Sequence, residues 1–495
     1  MTLGTPSTGK AGMDYDVSHW EGSEPPRDEF FWLSQINKAT LAINAREGLL
    51  SEADARRFAA GLKSVIDAQS VSGSFRPKMF VRYEPLLIKA CGIEVTKMHV
   101  GRSSQDMHAT FQRTIIRDLI LDFVRALNQV RAELYTLAKA HRNTVAPSYT
   151  NGVAAQPDTI AHMWLGHLAG FSRDAEMLRQ YYDRLNRSPM GATVLNGTSW
   201  PLNRDAMSAA LGFDAPVENA YDATMIASTD VMVETAMVLI NPLLHVVQFI
   251  QDLMVQYSQS EPWILVSATY ASSAMPQKRN PGSLIDIRRD ANAVLGALQS
   301  VFFRAHGITP GNYDAKDVQI NGELVRDATV VLQNFFSVLP LLTINKDRAL
   351  AELNSDWTAS QELADILMRE HNVPFRLGHH IASAMVTLAR QAHYTPLTFP
   401  YAEVLRLYRE GFEKEPAAGA PSEFPLTEEQ FHAALDPVSI VANRKTAGGP
   451  QESAIAVQLE SAAAAISADR DWLHQKVKAL EAAEKATEEA FEALL

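Results

Sequence analysis

The residues of this 495-residue sequence that are best suited to chemistry stand in one short segment, Ala271-Ser-Ser-Ala-Met-Pro-Gln-Lys-Arg-Asn-Pro-Gly282. Its small residues and two prolines predict a loop rather than a helix interior. The segment holds two hydroxyls, two cations and two amides, and its backbone N–H groups near Ser272–Ala274 are suited to forming an anion nest. Lys278 and Asn280 add a positive charge and a neutral donor, so the loop has the groups that an anion site needs.

Such a loop fits a reaction through a carbanion next to a carboxylate. Removing a proton there puts a second negative charge on the carboxylate, which a fixed cation and fixed donors stabilise best where water is excluded. A serine acts as the base only if nearby positive charge or N–H groups stabilise its alkoxide. From composition alone, the simpler interpretation is a basic surface loop bounded by prolines.

The overall composition limits the classes of function. The formal net charge of −12 gives the chain no general attraction for nucleic acid or for an anionic membrane. The single cysteine, Cys91, excludes an intrachain disulfide and fits a reducing compartment, and a lone cysteine is more often a buried hydrophobe than a nucleophile. Residues 1–16 lack the apolar run of a signal peptide, and no membrane span is expected. We therefore expect a cytoplasmic protein.

The elements that position the loop are predicted to be long helices. An apolar stripe with alternating spacings of four and three residues predicts a helix that ends before Pro147. A second apolar segment, Asp222–Ser258, predicts a helix at the centre of a bundle, kinked but not ended by Pro242. Leu284–His306 and Glu323–Leu342 predict two more long helices. Helices this apolar predict association of several copies. The first stripe consists of Ile116, Ile120, Phe123, Leu127, Val130, Leu134 and Leu137.

Shorter helices are predicted on both sides of this bundle. Glu29–Glu47 and Ser51–Gln69 are amphipathic, and Ser51 is a candidate N-cap. Beyond residue 350 we expect a helix at 360–370, another after Pro374, a loop-rich stretch over Tyr394–Thr427, and a helical tail from Gln451. Glu484 and Thr487 interrupt the apolar stripe of that tail, so its end is expected to be less firmly buried.

The order of residues in SSAMPQKRNP resembles the signature loop of the fumarase/aspartase superfamily, most closely its argininosuccinate lyase branch. The resemblance implies that Ser272 is the catalytic base on a mobile loop. It also implies that Lys278 and Asn280 hold the carboxylate that accumulates charge, while Ser273 and Met275 line the same loop.

The resemblance extends over nearly the whole chain. Residues 97–106, with Arg102 and Ser103, resemble the first motif of the branch, and residues 147–157, with Thr150, resemble the second. Residues 191–204 resemble a glycine-rich connection between bundle helices. Segments 374–379 and 443–449 resemble parts of the third domain. Residues of another segment resemble a substrate-contacting turn, with one residue more after its tyrosine: Tyr313, Lys316, Asp317 and Gln319.

The family fold implied by this resemblance is all-α, with a three-domain protomer and a long central bundle that forms a twenty-helix core in a homotetramer. Each active site would use residues from three subunits. We place the N-terminal domain at 1–106, the central bundle domain at 107–350 with the catalytic loop at 267–282, and the C-terminal domain at 351–495.

Two motifs depart from the usual pattern of the branch. The first usually reads Gly-Arg-Ser-Arg-Asn-Asp, and here Ser104 and Gln105 replace the second arginine and the asparagine. Serine cannot replace the bidentate fork of arginine, whereas glutamine still donates. The second usually carries Thr-His, and here Asn151 follows Thr150. Asparagine cannot titrate, so the donor of a proton to the leaving amine is open between His99, which is more simply a packed or capping histidine, and a water molecule.

These observations predict a carbon–nitrogen lyase that eliminates an amine from an N-substituted aspartate and releases fumarate, reversibly. The alternatives are argininosuccinate lyase itself and a catalytically inert structural homologue. The expected partner is a small di- or polycarboxylate substrate, with neither nucleic acid nor membrane. No cofactor and no metal are expected, because His379 and His380 point to different sides of a helix and segment 191–197 lacks the features of a phosphate loop.

Overall fold

The computed structural model describes residues 26–495, and α-helices dominate this part of the chain. Residues 1–16, in which no signal peptide is expected, lie outside the described residues. The helices are α1 (Glu29–Arg46), α2 (Glu52–Gln69), α3 (Phe80–Cys91), α4 (Ser104–Ala140), α5 (Ile160–Leu185), α6 (Arg204–Ala210), α7 (Ala227–Met254), α8 (Gly282–Ala305), α9 (Val318–Val338), α10 (Lys346–Ser355), α11 (Ser360–His371), α12 (Phe375–Ala392), α13 (Tyr401–Lys414), α14 (Glu428–Leu435), α15 (Pro437–Ala442) and α16 (Glu452–Glu492).

Short strands connect some of these helices. Four two-stranded sheets are described, and sequence analysis predicted none of them. The strands are β1 (Val145–Thr150), β2 (Val153–Thr159), β3 (Arg187–Ser188), β4 (Ala215–Pro216), β5 (Ile264–Val266), β6 (Tyr270–Ala271), β7 (Arg279–Asn280) and β8 (Leu342–Ile344). β1 pairs with β2, β3 with β4, β5 with β8 and β6 with β7.

The central bundle consists of α4, α5, α7, α8 and α9, which pack on one another. The predicted stripe of α4 is confirmed, because its side chains from Ile116 to Leu134 are fully buried. α7 runs on past Pro242 to Met254, so this proline does not end the helix, as predicted. α9 ends at Val338, and a 3₁₀ turn at Leu339–Leu341 contains Pro340. The prediction of an all-α fold with a long central bundle is therefore confirmed for the protomer.

Side-chain N-caps confirm the predicted starts of helices in the N-terminal part of the chain. The Ser51 side chain accepts a hydrogen bond from the Asp54 N–H at the start of α2. Ser103 caps α4 in a capping box with Asp106, in which the side chain of each residue accepts the backbone N–H of the other residue. The cap fixes the first turn of α4, which carries Ser104 and Gln105.

The core of the described residues is divided into two hydrophobic clusters. The larger contains α1, α2, the central bundle and α16, and the smaller contains residues of 357–440. The last helix thus packs with the bundle, mainly on α4, α1 and α5. The domain boundaries at residues 106 and 350 stay a prediction, but the packing assigns α16 to the larger cluster.

One expectation about the C-terminal region is incomplete and another is wrong. The stretch Tyr394–Thr427 is loop-rich on both sides, as predicted, but α13 occupies its middle and buries Val404, Leu407 and Tyr408. The end of α16 is well buried, since Thr487 and Phe491 are 4% and 2% exposed. Thr487 lies in the apolar stripe because its hydroxyl donates to the Ala210 carbonyl at 2.7 Å, which satisfies the polar group.

The segment Asp222–Ser258 is long and apolar enough to cross a membrane by length and composition. Half of its most apolar window is buried inside the protomer, where α7 packs on α5, α8 and α9. These contacts are those of a core helix in a bundle. Met237 and Leu244 on α7 and Val330 on α9 nevertheless remain about half exposed, and Phe303 on α8 is 78% exposed. The association of copies that these surfaces favour stays a prediction.

Candidate active site

The predicted chemical loop forms a small hairpin at the start of α8. Tyr270 and Ala271 pair antiparallel with Asn280 and Arg279, and the residues between them form the tip. The Tyr270 ring covers Gly282, where a Cβ would lie 2.6 Å from the ring. A glycine at the first residue of α8 therefore allows the hairpin to fold against its own helix.

Within this hairpin, Ser272 is surrounded by backbone donors. Its Oγ accepts the N–H of Ala274 at 3.3 Å and the N–H of Met275 at 3.1 Å. These two N–H groups converge on the serine oxygen, whereas the Ser272 N–H donates to the Lys278 carbonyl at 3.4 Å, so the anion nest at Ser272–Ala274 stays a prediction. Donors of this kind stabilise an oxyanion more than a neutral hydroxyl, so this geometry is suited to a serine that acts as an alkoxide base.

The other loop residues are open to solvent. Ser273, Met275 and Lys278 are exposed, and Asn280 is half-buried with its Nδ2 donating to the Tyr270 carbonyl at 3.4 Å. Lys278 has no ion-pair partner within residues 26–495, whereas Arg279 donates to the Pro276 carbonyl at 2.7 Å. Lys278 is thus an unneutralised cation beside Ser272, as a carboxylate site requires.

The first motif presents only part of its residues to the surface. Arg102 is 5% exposed, donates to the Thr40 hydroxyl at 3.1 Å and lies over the Phe80 ring. Burial lowers its pKa to about 10. Arg102 therefore packs inside the N-terminal helices of the protomer, and this leaves Ser103, Ser104 and Gln105 as the part of the motif that faces outwards.

The predicted turn Tyr313–Gln319 lies at the same end of the bundle. Lys316 is 5% exposed, and its Nζ donates to the Thr224 carbonyl at 3.0 Å. Within residues 26–495 it has no carboxylate partner, and burial lowers its pKa. Gln319 donates to Glu29 at 3.2 Å, and Tyr313 is half exposed. A buried lysine without a counter-ion is costly, so this position favours an anion.

A glycine-rich connection, residues 191–197, joins these two regions, and part of its backbone is unusual. Thr193 and Val194 have φ values of 46° and 72°, which are rare for β-branched residues. The Thr193 hydroxyl donates to the Gly101 carbonyl at 2.7 Å, and the Thr224 hydroxyl donates to the Val194 carbonyl. Strained residues held in this way often lie at functional sites, but β-branched residues at positive φ cannot be recognised from sequence.

The second motif lies in the turn between β1 and β2. Asn151 and Gly152 are its central residues and have φ values of 54° and 77°. Positive φ at both positions is what a two-residue type I′ hairpin requires, and Asn-Gly is its usual sequence. The sequence therefore carries a signal for this hairpin in its Asn-Gly pair. Thr150 and Asn151 are exposed at the tip, where their side chains are free to meet a ligand.

The candidate residues therefore form two groups in one protomer. The first motif and the turn at 313–319 lie near the start of α4, and the second motif follows its end. Since α4 has 37 residues, its two ends are about 55 Å apart. The Ser272 hairpin lies at the same end of the bundle as the second motif, because Trp263, just before β5, donates to the Tyr149 hydroxyl at 3.2 Å. The structure does not bring both groups together within a protomer.

The two remaining titratable candidates are packed groups. His99 lies 2.9 Å from Glu84 and edge-on to Phe80, and burial followed by the Arg102 charge lowers its pKa. Burial raises the pKa of the Cys91 thiol, which disfavours a nucleophile. Among the described residues, no group of three or more His, Cys, Asp or Glu side chains is placed to hold a metal ion.

Comparisons with known proteins agree with this architecture. Residues 88–296 match the family described as "Lyase", and residues 357–442 match "Argininosuccinate lyase C-terminal". An argininosuccinate lyase of Methanoculleus marisnigri is 29% identical over 485 residues, 94% of each chain. One of Methanospirillum hungatei is 30% identical over 437 residues, which covers 85% of this chain and 84% of the relative.

Solved structures extend the comparison. A crystal structure of EDDS lyase in complex with formate has a TM-score of 0.83 at 26% identity and covers 94% of this chain and 92% of that chain. A class II fumarase of Schistosoma mansoni, at 13% identity, shares the fold with a TM-score of 0.64 over 84% of this chain and 91% of its own. The fold and the matches are those of lyases of the fumarase/aspartase superfamily. Within it, the chain belongs to the argininosuccinate lyase branch and is a carbon–nitrogen lyase of this type.

Proposed function

We propose that this enzyme cleaves an N-substituted aspartate other than argininosuccinate into fumarate and a free amine, and catalyses the reverse addition. The observation that carries the proposal is the pair of N–H groups, of Ala274 and Met275, on the Ser272 oxygen. An inert homologue has no need of a serine oxygen held in this way. The likeness to EDDS lyase, and to a variant of that enzyme with bound fumarate, supports an aminocarboxylic acid as the substrate.

In the proposed reaction, the Ser272 alkoxide removes a proton from the carbon next to the carboxylate that lies farther from the nitrogen. Lys278 and Asn280 bind that carboxylate and stabilise its second negative charge. The electron pair then forms the carbon–carbon double bond as the carbon–nitrogen bond breaks, and the amine leaves with a proton. The donor of this proton stays open, because Asn151 cannot titrate and His99 is packed against Glu84.

The complete site in this proposal is shared between subunits of a cytoplasmic homotetramer. The first motif and the Ser272 hairpin lie near opposite ends of a bundle about 55 Å long, so one protomer cannot close both around a single substrate. Partner copies, packed on the exposed apolar residues of α7, α8 and α9, would supply the missing residues.

The substrate preference follows from the first and second motifs. Ser104 and Gln105 replace residues that usually grip a substrate carboxylate in the branch, and Asn151 replaces one that helps to organise the proton-transfer site, while Ser272, Lys278 and Asn280 match the pattern. We therefore propose that the elimination step is retained and that the amine half differs. Argininosuccinate lyase activity is the second candidate, favoured by the relatives of that name at 28–30% identity.

The test is an absorbance assay of fumarate release with argininosuccinate, EDDS and a panel of other N-substituted aspartates. Ser272→Ala is the test variant, and Ser258→Ala, at an exposed serine outside the loop, is its control. Fumarate from a substrate other than argininosuccinate, abolished only by Ser272→Ala, supports the proposal. Activity on argininosuccinate alone supports the second candidate. Silence of the wild type in both directions contradicts both.

A further inference from the structure

The hydroxyl of Tyr149 lies where four segments of the described chain meet. It donates to the Glu352 carboxylate on α10, and it accepts Gln256 Nε2 at 2.7 Å and Trp263 Nε1 at 3.2 Å. A phenol oxygen offers one donor and two acceptor positions, so these three bonds use all of them. Burial, and then the Glu352 carboxylate, raise the pKa of Tyr149, which keeps the proton on the hydroxyl.

The partners of this hydroxyl connect two segments that the proposed function uses. Tyr149 directly precedes Thr150, whereas Trp263 directly precedes β5, which ends shortly before the Ser272 hairpin begins at Tyr270. Gln256 strengthens the link because its Oε1 accepts the Trp263 N–H at 3.1 Å. Gln256 and Trp263 are buried, at 1% and 6% exposed, so water cannot easily replace a lost partner.

We propose that Tyr149 is a positioning residue that fixes the second-motif turn and the root of the Ser272 hairpin to one point. It touches no reacting atom in this proposal. When the turn or the hairpin moves, the shared hydroxyl transmits the displacement to the other segment. The inference rests on the proposed function, since it assigns both segments to catalysis.

The test compares Tyr149→Phe with Tyr401→Phe, whose hydroxyl also makes a hydrogen bond, to the Leu426 carbonyl in the smaller core cluster. Because small misplacements of catalytic groups are costly, Tyr149→Phe is expected to lower kcat about tenfold to a hundredfold with little change in KM. Tyr401→Phe is expected to leave both constants unchanged. A loss of folded protein alone would also lower kcat at unchanged KM, so the positioning role is separated from it by the two measurements that follow.

Two further measurements separate the outcomes. Gln256→Leu and the double variant with Tyr149→Phe are expected to lower kcat by similar factors, because both break one network. Hydrogen exchange in Tyr149→Phe is expected to rise in residues 148–153 and 267–282 together. Multiplicative kcat effects, or faster exchange in only one segment, overturn the inference. The exchange result is read without substrate, so it stands apart from a failure of the proposed lyase activity.

Discussion

The Asp106 carboxylate accepts the N–H groups of Gly191 and Thr193 on one oxygen, at 3.1 Å each, and the Ser103 N–H on the other at 2.8 Å. One buried side chain thus joins the first turn of α4 to the connection that contains the strained Thr193 and Val194. Burial raises the pKa of Asp106, although these N–H groups act in the opposite direction. The carboxylate therefore sets the backbone on which Ser104 and Gln105 are presented.

We expect Asp106→Asn to destabilise the protein by about 1–3 kcal/mol, because the amide nitrogen faces backbone donors that lose their acceptor. Activity should fall as well, since the first turn of α4 loses its fixed position. Thermal unfolding and fumarate release measure the two effects. Asp67→Asn, at an exposed residue paired with Lys63, is the control. An unchanged melting temperature for Asp106→Asn would contradict this role.

Lys278→Met tests the proposed stabilisation of the carbanion. The loss of one preorganised charge is expected to lower kcat about 10²–10³-fold. Stability should be unchanged, because Lys278 is exposed and has no ion-pair partner among the described residues. Steady-state kinetics and a melting curve check both expectations, with Lys63→Met as the control. A rise in KM without a fall in kcat would show that Lys278 only binds the ground state.

The fold was predictable where repetition along the chain carries the information. The stripe of α4 and the Ser51 cap depend on neighbours within a few residues, and both are confirmed. α13 was missed because prolines and glycines on both sides dominate the composition of Tyr394–Thr427 and mask the helical spacing of Val404 and Tyr408. Thr487 was misjudged because its partner, Ala210, is 277 residues away in sequence.

The site was predictable as a set of motifs but not as an arrangement. The contiguous loop around Ser272 indicates its chemistry, since the backbone donors, the cation and the amide are neighbours in sequence. Arg102 turns inward to Thr40, and Lys316 lies against Thr224, through contacts between distant segments that no local pattern encodes. The separation of the two groups follows only from the length of α4, and this separation is the argument for a shared site.

Phe303→Glu tests whether the exposed face of the bundle joins copies of the chain. Phe303 is 78% exposed on α8, and a charge there should oppose burial against another protomer. We expect smaller species in size-exclusion chromatography with light scattering, and a parallel loss of activity. Val457→Glu changes an equally apolar residue that is 63% exposed on α16 and serves as the control. An active monomer would contradict the shared site.

The pH dependence of substrate capture tests Lys316. A lysine attracts a carboxylate only while it is protonated, and burial lowers the pKa of Lys316. Its charge is therefore lost at a lower pH than that of an ordinary lysine, so kcat/KM should fall as the pH rises through this lowered value. A bound anion favours the charged form, so substrate binding should take up a proton in that range.

Lys316→Arg separates this effect from other titrations, because arginine keeps its charge to a higher pH than lysine does. The alkaline fall of kcat/KM should move to higher pH in this variant, even if its maximum is reduced by the larger side chain. Lys63→Arg, at an exposed lysine, should leave the profile unchanged. If the alkaline limbs of the wild type and Lys316→Arg coincide, another group sets the profile, and the anion that compensates the buried Lys316 is not the substrate.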